Sequence, residues 1–228
     1  CSILEEITML KPRRYKRVTP VSAALNGSGV FNGTTAYLTA PLNAALNPGT
    51  GNFTLECWVY FNALNQGNIF DGSINGLSLG LNASNQIAFG QSNVTFLATD
   101  PAAATTGSWF HFVAVRSGTT LSLFKNGTRV ATATNSTNFS TTVANRIGWN
   151  GVAAYFNGFL SNLRIVNGTA VYDPTLTTLT VPTAPLTAIT NTSLLLLCNA
   201  TPFVDTSVNA FTITNTGPVT YSSSVSPF

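Results

Sequence analysis

Side chains that could carry out acid–base or nucleophilic chemistry are few in this chain, which has seven acidic residues and one histidine. Glycoside hydrolysis needs two carboxylates on opposite sides of the bond that breaks. Glu56 is the acidic residue within a strand pattern, and no acidic residue lies two positions away. His111 has no nucleophile elbow beside it and is expected to be a packed strand residue. The sequence therefore predicts a protein that is not an enzyme.

Metal-binding patterns are equally sparse. Cys1, Cys57 and Cys198 lack the close spacing of a metal site. Calcium prefers about six to eight oxygen ligands, several of them charged. Asp71 and Asp100 are the candidate carboxylates, and neither has an acidic partner nearby in the sequence. We therefore expect no cofactor and no metal, with Ca²⁺ at Asp71 or Asp100 as the alternative.

One loop has the residue types of a sugar-binding site. A sugar presents a C–H face that packs on an aromatic ring, and hydroxyls that pair with amides or carboxylates. Trp149, Asn150 and Tyr155 supply two aromatic rings and an amide around a tight turn. These three residues are the candidate glycan-binding site. The alternative is that Trp149 caps the hydrophobic core.

Positive charge is concentrated near the N-terminus, where five of the ten basic residues surround Tyr15: Lys11, Arg13, Arg14, Lys16 and Arg17. From residue 29 onward, five basic residues balance five acidic ones. A neutral body argues against nucleic-acid binding, which needs clustered cations. The basic segment and Tyr15 instead predict an arm that anchors the protein to a partner in an assembly.

Period-two patterns indicate strands from residue 29 onward. Phe53, Leu55 and Val59 alternate with polar or amphipathic residues, and residues 109–116 are apolar on both faces. Asn126-Gly127 separates two further strand patterns and is a strong hairpin signal. We expect an all-β, two-sheet antiparallel sandwich. Its predicted core includes Phe53, Leu55, Val59, Val113, Val115, Leu123, Leu163 and Ile165.

The domain organisation follows from composition. Residues 1–28 form the basic N-terminal arm, in which a short helix over residues 3–10 would end before Pro12. Residues 29–228 form one domain, with a Pro/Thr-rich connector at 173–190 and strands at 191–228 that return to the sandwich. Within this last part, strands are expected at residues 193–198 and 211–214. No apolar run approaches the ~20 residues of a membrane span.

Four segments in order resemble the laminin-G-like members of the concanavalin-A-like jelly-roll superfamily: FNGTTAYLTAP (31–41), FTLECWVYF (53–61), WFHFVAVR with LSLFKNGTRV (109–130), and FNGFLSNLRIVNGTAVY (156–172). The tail at 193–217 resembles linker-and-strand units of bacteriophage and marine-virus structural proteins. This resemblance implies a jelly roll on a tail fibre or virion surface.

Two functions follow from the resemblance and the arm. The first is a non-enzymatic structural protein of the virion surface, a decoration or tail/fibre subunit, held among other subunits by its arm. The alternative is a lectin-like adhesion module that binds host-surface glycans. Either function places the protein on a virion surface or outside the cell, and a homo-oligomer is expected.

Overall fold

The computed structural model describes residues 26–228, which form fifteen β-strands and one 3₁₀ turn at Ala44–Leu46. The arm residues Lys11, Arg13, Arg14, Tyr15, Lys16 and Arg17 lie outside the described residues. The strands are β1 (Ser28–Asn32), β2 (Tyr37–Ala40), β3 (Phe53–Ala63), β4 (Asn68–Asp71), β5 (Leu77–Leu81), β6 (Gln86–Gln91), β7 (Thr95–Ala103), β8 (Trp109–Ser117), β9 (Thr120–Lys125), β10 (Thr128–Thr134), β11 (Asn145–Ile147), β12 (Asn157–Asn167), β13 (Thr192–Leu196), β14 (Thr214–Thr216) and β15 (Thr220–Ser222).

The strands form two antiparallel sheets that face each other. Sheet A has the order β10-β9-β8-β3-β12-β1-β15, and β13 pairs with the second half of β12. Sheet B has the order β14-β2-β11-β4-β5-β6-β7. The expected two-sheet jelly-roll sandwich is confirmed. Among residues 26–228, no helix has the length and apolar character that a membrane crossing requires.

Strands from the C-terminal tail enter both sheets. β13 and β15 belong to sheet A, whereas β14 pairs with β2 in sheet B. The sequence pattern predicted a strand over residues 211–214, and this position is wrong because pairing begins only at Thr214. Phe211 and Ile213 instead pack, partly buried, against the core between the sheets.

The core between the sheets follows the period-two pattern of the strands. In β3, alternate side chains from Phe53 to Phe61 are fully buried in this core. All eight residues predicted to be core are buried. Val113 and Val115 differ from the other six, because they lie with Phe124 in a second cluster on the outer face of sheet A.

The second cluster is covered by the segment between β12 and β13, residues 168–191. This segment contains the predicted connector at 173–190, and the name connector refers to all of residues 168–191 from here on. Tyr172 and Leu179 of the connector pack against the cluster. At the predicted β9–β10 hairpin, Asn126 and Gly127 both have positive φ, at 48° and 78°. A Cβ atom on Gly127 would lie 2.5 Å from the Leu179 carbonyl oxygen, so glycine also lets the connector pass closely over the turn.

Candidate functional site

A groove of about 600 Å³ crosses the outer face of sheet B. On β5, Leu77, Leu79 and Leu81 belong to the core, and the intervening Ser78 faces the other side of the sheet. Ser78 pairs across to Asp71, and Asn68 of β4 donates a hydrogen bond to the Ser78 hydroxyl at 3.2 Å. Adjacent strands of sheet B therefore supply the floor of this sheet-B groove.

Two loops form the walls of the sheet-B groove. One contains Asn150 and Val152, between β11 and β12, and the other is the β6–β7 turn with Val94, next to Phe96 at the start of β7. Val94, Phe96 and Val152 are 59%, 53% and 79% exposed. The rim thus presents apolar surface to solvent, which suits a ligand with an apolar face of its own.

Side-chain amides dominate the polar part of the lining, which is drawn from the described residues and contains no charged side chain. The amide residues are Gln66, Asn68, Asn82, Gln91, Asn93 and Asn150. Each primary amide offers two donors and an acceptor. The groove can therefore form many neutral hydrogen bonds, and it has no ionic group that would select a charged ligand.

Two of these amide groups hydrogen-bond to the backbone through either the oxygen or the nitrogen and leave the other atom without a partner in the described residues. The Asn150 carbonyl oxygen accepts the backbone N–H groups of Val152, Ala153 and Ala154, at 3.0–3.2 Å. Gln91 donates to the carbonyl oxygens of residues 75 and 138, both at 3.2 Å. Within the described chain, the Asn150 amino group and the Gln91 carbonyl oxygen have no hydrogen-bond partner, so both are available to a ligand.

Beside the groove floor lies an ion pair between the buried Asp71 and the partly exposed Arg146. Asp71 accepts hydrogen bonds from the Ser73 N–H and the Ser92 hydroxyl, and Arg146 Nη1 lies 3.4 Å from its other oxygen. Burial raises the pKa of Asp71, although Ser92 and Arg146 act in the opposite direction. The Arg146 guanidinium also lies 4.9 Å from the centre of the Trp149 ring.

The three predicted glycan-binding residues are close together but differ in their access to the groove. Asn150 lines it. Trp149 and Tyr155 stack on each other, with ring centroids 5.5 Å apart and planes at 10°, and Tyr37 packs against Trp149 at 4.7 Å. Trp149 and Tyr155 are not among the residues that line the groove. A direct role of these two rings in sugar binding stays a prediction.

The strand acid Glu56 lies on the opposite side of the molecule, on the outer face of sheet A. One of its oxygens accepts from Arg164 Nε at 2.9 Å and from Nη2 at 2.6 Å. The other accepts from the Tyr172 hydroxyl at 2.8 Å. Arg164 also donates to the Thr187 carbonyl oxygen at 2.9 Å, so this network fastens the connector to sheet A.

The pKa of Glu56 depends on its burial and on two neighbours, His111 and Arg164. Burial raises the pKa of this carboxyl, but His111 and Arg164 together outweigh burial and hold it below its ordinary value. His111 is fully buried, with Nε2 3.3 Å from the Glu56 carboxylate but outside hydrogen-bond geometry, and its ring lies 5.1 Å from that of Trp58. His111 is thus a packed residue of sheet A, whereas the groove lies on sheet B.

The calcium candidates each face a cationic side chain. Asp100 is buried and pairs with Lys125 at 3.0 Å, and Asp71 faces Arg146. Residues 26–228 contain no group of three or more His, Cys, Asp or Glu side chains placed to hold a metal ion.

Sequence reasoning missed most of the groove, including a motif at its floor. Residues 76–80 read Gly-Leu-Ser-Leu-Gly and match the spacing of a nucleophile elbow around Ser78. A nucleophile elbow is a sharp turn between a strand and a helix, whereas Ser78 lies within strand β5. The lone histidine belongs to the other sheet. The match is therefore a coincidence of strand composition.

Solved structures with a similar fold include three of different origin. A candidate carbohydrate-binding protein from Bacteroides ovatus aligns over 87% of this chain at 13% identity with a TM-score of 0.65, and the chain spans 60% of its length. A heptameric SAP-like pentraxin from Limulus polyphemus aligns over 65% of this chain and 79% of its own, at 17% identity and a TM-score of 0.48. Domains LG4-5 of the mouse laminin α1 chain align over 61% of this chain and 40% of their own, at 18% identity and a TM-score of 0.47.

The sequence itself matches a family profile. Residues 32–172 match the Laminin_G_3 family, described as the concanavalin A-like lectin/glucanases superfamily. No curated protein matches the chain. The matched residues include β2 to β12, and therefore every strand and loop that forms the sheet-B groove.

Proposed function

Because the chain belongs to the concanavalin A-like lectin/glucanases superfamily, we propose that it is a glycan-binding module with its binding site in the sheet-B groove. The observation that carries the proposal is the lining of that groove, in which amide side chains lie beside exposed apolar residues. The similar fold of the candidate carbohydrate-binding protein from Bacteroides ovatus agrees with this proposal.

The chemistry of the lining specifies the class of ligand. A neutral sugar has hydroxyls that both donate and accept, and amides match both functions. Its C–H faces can pack on Phe96 and Val152 at the rim. A volume of about 600 Å³ lies within the range of typical small-ligand sites. The preferred ligand is therefore an uncharged oligosaccharide.

Binding without catalysis is part of the same proposal. Glycoside hydrolysis needs two carboxylates that flank the bond. The groove lining contains none, and the neighbouring Asp71 is buried and paired with Arg146. Glu56 belongs to the other sheet. We expect the full-length chain to leave a panel of neutral oligosaccharides intact during prolonged incubation, as measured by mass spectrometry of the sugars.

Glycan-array screening of the full-length chain, followed by calorimetric titration of the selected sugars, tests the proposal. Phe96→Ala should weaken binding roughly fivefold to tenfold, because about 1 kcal/mol of apolar contact is lost. Leu176→Ala is the matched control, since Leu176 is 51% exposed and lies in the connector. Val152→Ala should also weaken binding, and its matched control is Val208→Ala, at an exposed valine that does not line the groove.

The titrations also distinguish the outcomes that would contradict the proposal. If Phe96→Ala and Val152→Ala bind as tightly as the unmodified protein, the ligand lies elsewhere. If only acidic sugars bind, the uncharged lining is not the recognition surface. Circular dichroism of each variant establishes that the fold is retained, as is expected for these exposed positions.

A role in a larger assembly is a second proposal, supported by the charge distribution. The basic arm contains half of the basic residues, whereas the remainder is neutral. We propose that Lys11–Arg17 contact an acidic surface of neighbouring subunits, as on a virion surface or another extracellular assembly. Limited trypsin digestion tests this, because no Lys or Arg lies between Arg17 and Arg116. Equal cleavage of the arm in free and assembled protein would contradict it.

A further inference from the structure

A second pocket, of about 380 Å³, lies between the connector and the end of β13. Residues 184–188 of the connector form one wall, and Leu195, Leu197 and Thr206 form the other. Its lining is mostly apolar. Ile189 and Val204, next to the two walls in sequence, are 40% and 60% exposed. Nothing in the described part of the chain covers this connector pocket.

The connector pocket has firmly held walls. The Asn162 side chain accepts the Leu186 N–H at 2.7 Å, and Arg164 donates to the Thr187 carbonyl oxygen at 2.9 Å. On the opposite wall, the Thr206 N–H donates to the Leu195 carbonyl oxygen at 2.9 Å. A site whose walls are fixed before binding loses little conformational entropy when it is occupied.

The N-terminal segment enters the described structure beside this pocket. The Ser161 hydroxyl lies 2.8 Å from the carbonyl oxygen of Gly27 and 3.2 Å from that of Leu197. Leu197 lines the pocket, and Ser161 belongs to the same irregular stretch of β12 as Asn162 and Arg164. Residues 161–164 of β12 thus form hydrogen bonds both to the pocket walls and to Gly27, near the start of the described chain.

We propose that residues 3–10 of this chain bind in the connector pocket of the same molecule. This segment, Ile-Leu-Glu-Glu-Ile-Thr-Met-Leu, contains two glutamates together with five of the eight Ile, Leu, Met and Val side chains in residues 1–25. Residues 11–25 can span roughly 50 Å when extended, much more than the distance across the pocket. A tether of this length gives an effective concentration on the order of millimolar, so weak intrinsic affinity is sufficient.

Photo-cross-linking of the full-length chain tests the proposal. Benzoylphenylalanine replaces Ile7, the protein is irradiated, and cross-linked peptides are located by mass spectrometry. Cross-links to residues 184–188 or 195–197 within one chain are expected. Ala188→Asp should lower their yield about fivefold, because an unpaired carboxylate disfavours an apolar ligand. Ala102→Asp, at an exposed position of β7, is the matched control and should leave the yield unchanged.

Mixing isotopically labelled and unlabelled chains before irradiation separates the possible occupants. Cross-links that join labelled to unlabelled chains would show that a second copy fills the pocket and would overturn the proposal. Cross-links confined to other surfaces, or none at the pocket, would overturn it as well. The experiment does not involve a sugar, so its result is independent of the proposed glycan binding.

Discussion

Removal of the Glu56 carboxylate should destabilise the protein strongly. In Glu56→Gln, the buried Arg164 guanidinium loses its counterion, which it now contacts through hydrogen bonds of 2.9 and 2.6 Å. Loss of one partner from a buried ion pair typically costs about 3–5 kcal/mol. The glutamine carbonyl oxygen can still accept hydrogen bonds from Arg164, so we expect the lower end of that range, about 3 kcal/mol. Arg164→Met should cost about 3–5 kcal/mol, because it leaves a buried carboxylate.

Urea denaturation measures these changes, provided that the dependence of the unfolding free energy on urea stays constant among the variants. The double variant Glu56→Gln/Arg164→Met should be more stable than the sum of the single effects predicts, by roughly 1–3 kcal/mol. Asp173→Asn, at a solvent-exposed carboxylate in the connector, is the matched control and should change the midpoint little, because the asparagine oxygen can still accept the hydrogen bonds from Thr175. Single-variant costs below about 1 kcal/mol, or strict additivity, would refute the inference that this buried ion pair stabilises the fold.

Three further predictions concern the core, pH and the aromatic cluster. Leu163→Ala removes a fully buried side chain and should cost about 2–4 kcal/mol in urea denaturation, and a shift no larger than that of Leu176→Ala would contradict its core role. Because the folded pKa of Glu56 lies below its ordinary value near 4.5, the stability that it contributes is complete above that value and is lost as the pH falls through the folded pKa. Acid unfolding should therefore be less steep in Glu56→Gln than in the unmodified protein, and parallel curves would contradict this. Trp149→Ala should weaken glycan binding indirectly, because the Trp149 ring packs on Tyr155 and Arg146 next to the groove-lining Asn150. Urea denaturation should still show a cooperative transition, whereas loss of the fold would show that Trp149 caps the core.

The fold was predictable because its signals are local. Alternation in β3 requires only neighbouring residues, and the β9–β10 turn requires only the Asn126-Gly127 pair. The wrong strand at residues 211–214 shows the limit of this reasoning. Alternation of Phe211 and Ile213 with threonine matches a strand, but these side chains find core contacts without any strand pairing.

The candidate site depends on strand order, which local patterns do not determine. Asn68, Phe96 and Val152 are distant in sequence and meet because β4, β5, β6 and β7 are neighbours in sheet B. The residue types around Asn150 pointed to its loop as a candidate site, but they could not show that Trp149 already contacts Arg146 and Tyr155. Glu56 and Arg164 are 108 positions apart, and their pairing follows from the β3–β12 register.

The groove lining also explains which substitutions should separate binding from folding. Asn150 shapes its own loop through three backbone hydrogen bonds, so its replacement would disturb both. Gln66 lines the groove, is exposed, and forms no side-chain hydrogen bond within the described residues. Phe96 and Val152 are likewise exposed. These three positions report on ligand contacts with little effect on stability.

A neutral glycan in the sheet-B groove should perturb the amide side chains that line it, and nuclear magnetic resonance titration detects this. The ¹⁵N-labelled full-length chain would be titrated with the neutral oligosaccharide that binds best on the array. We predict shifts in the side-chain amide resonances of Gln66, Gln91 and Asn150 and in the backbone of Phe96, with little change at His111. Shifts confined to sheet A or to the connector pocket, with the groove amides unchanged at saturation, would show that the glycan does not bind in the sheet-B groove.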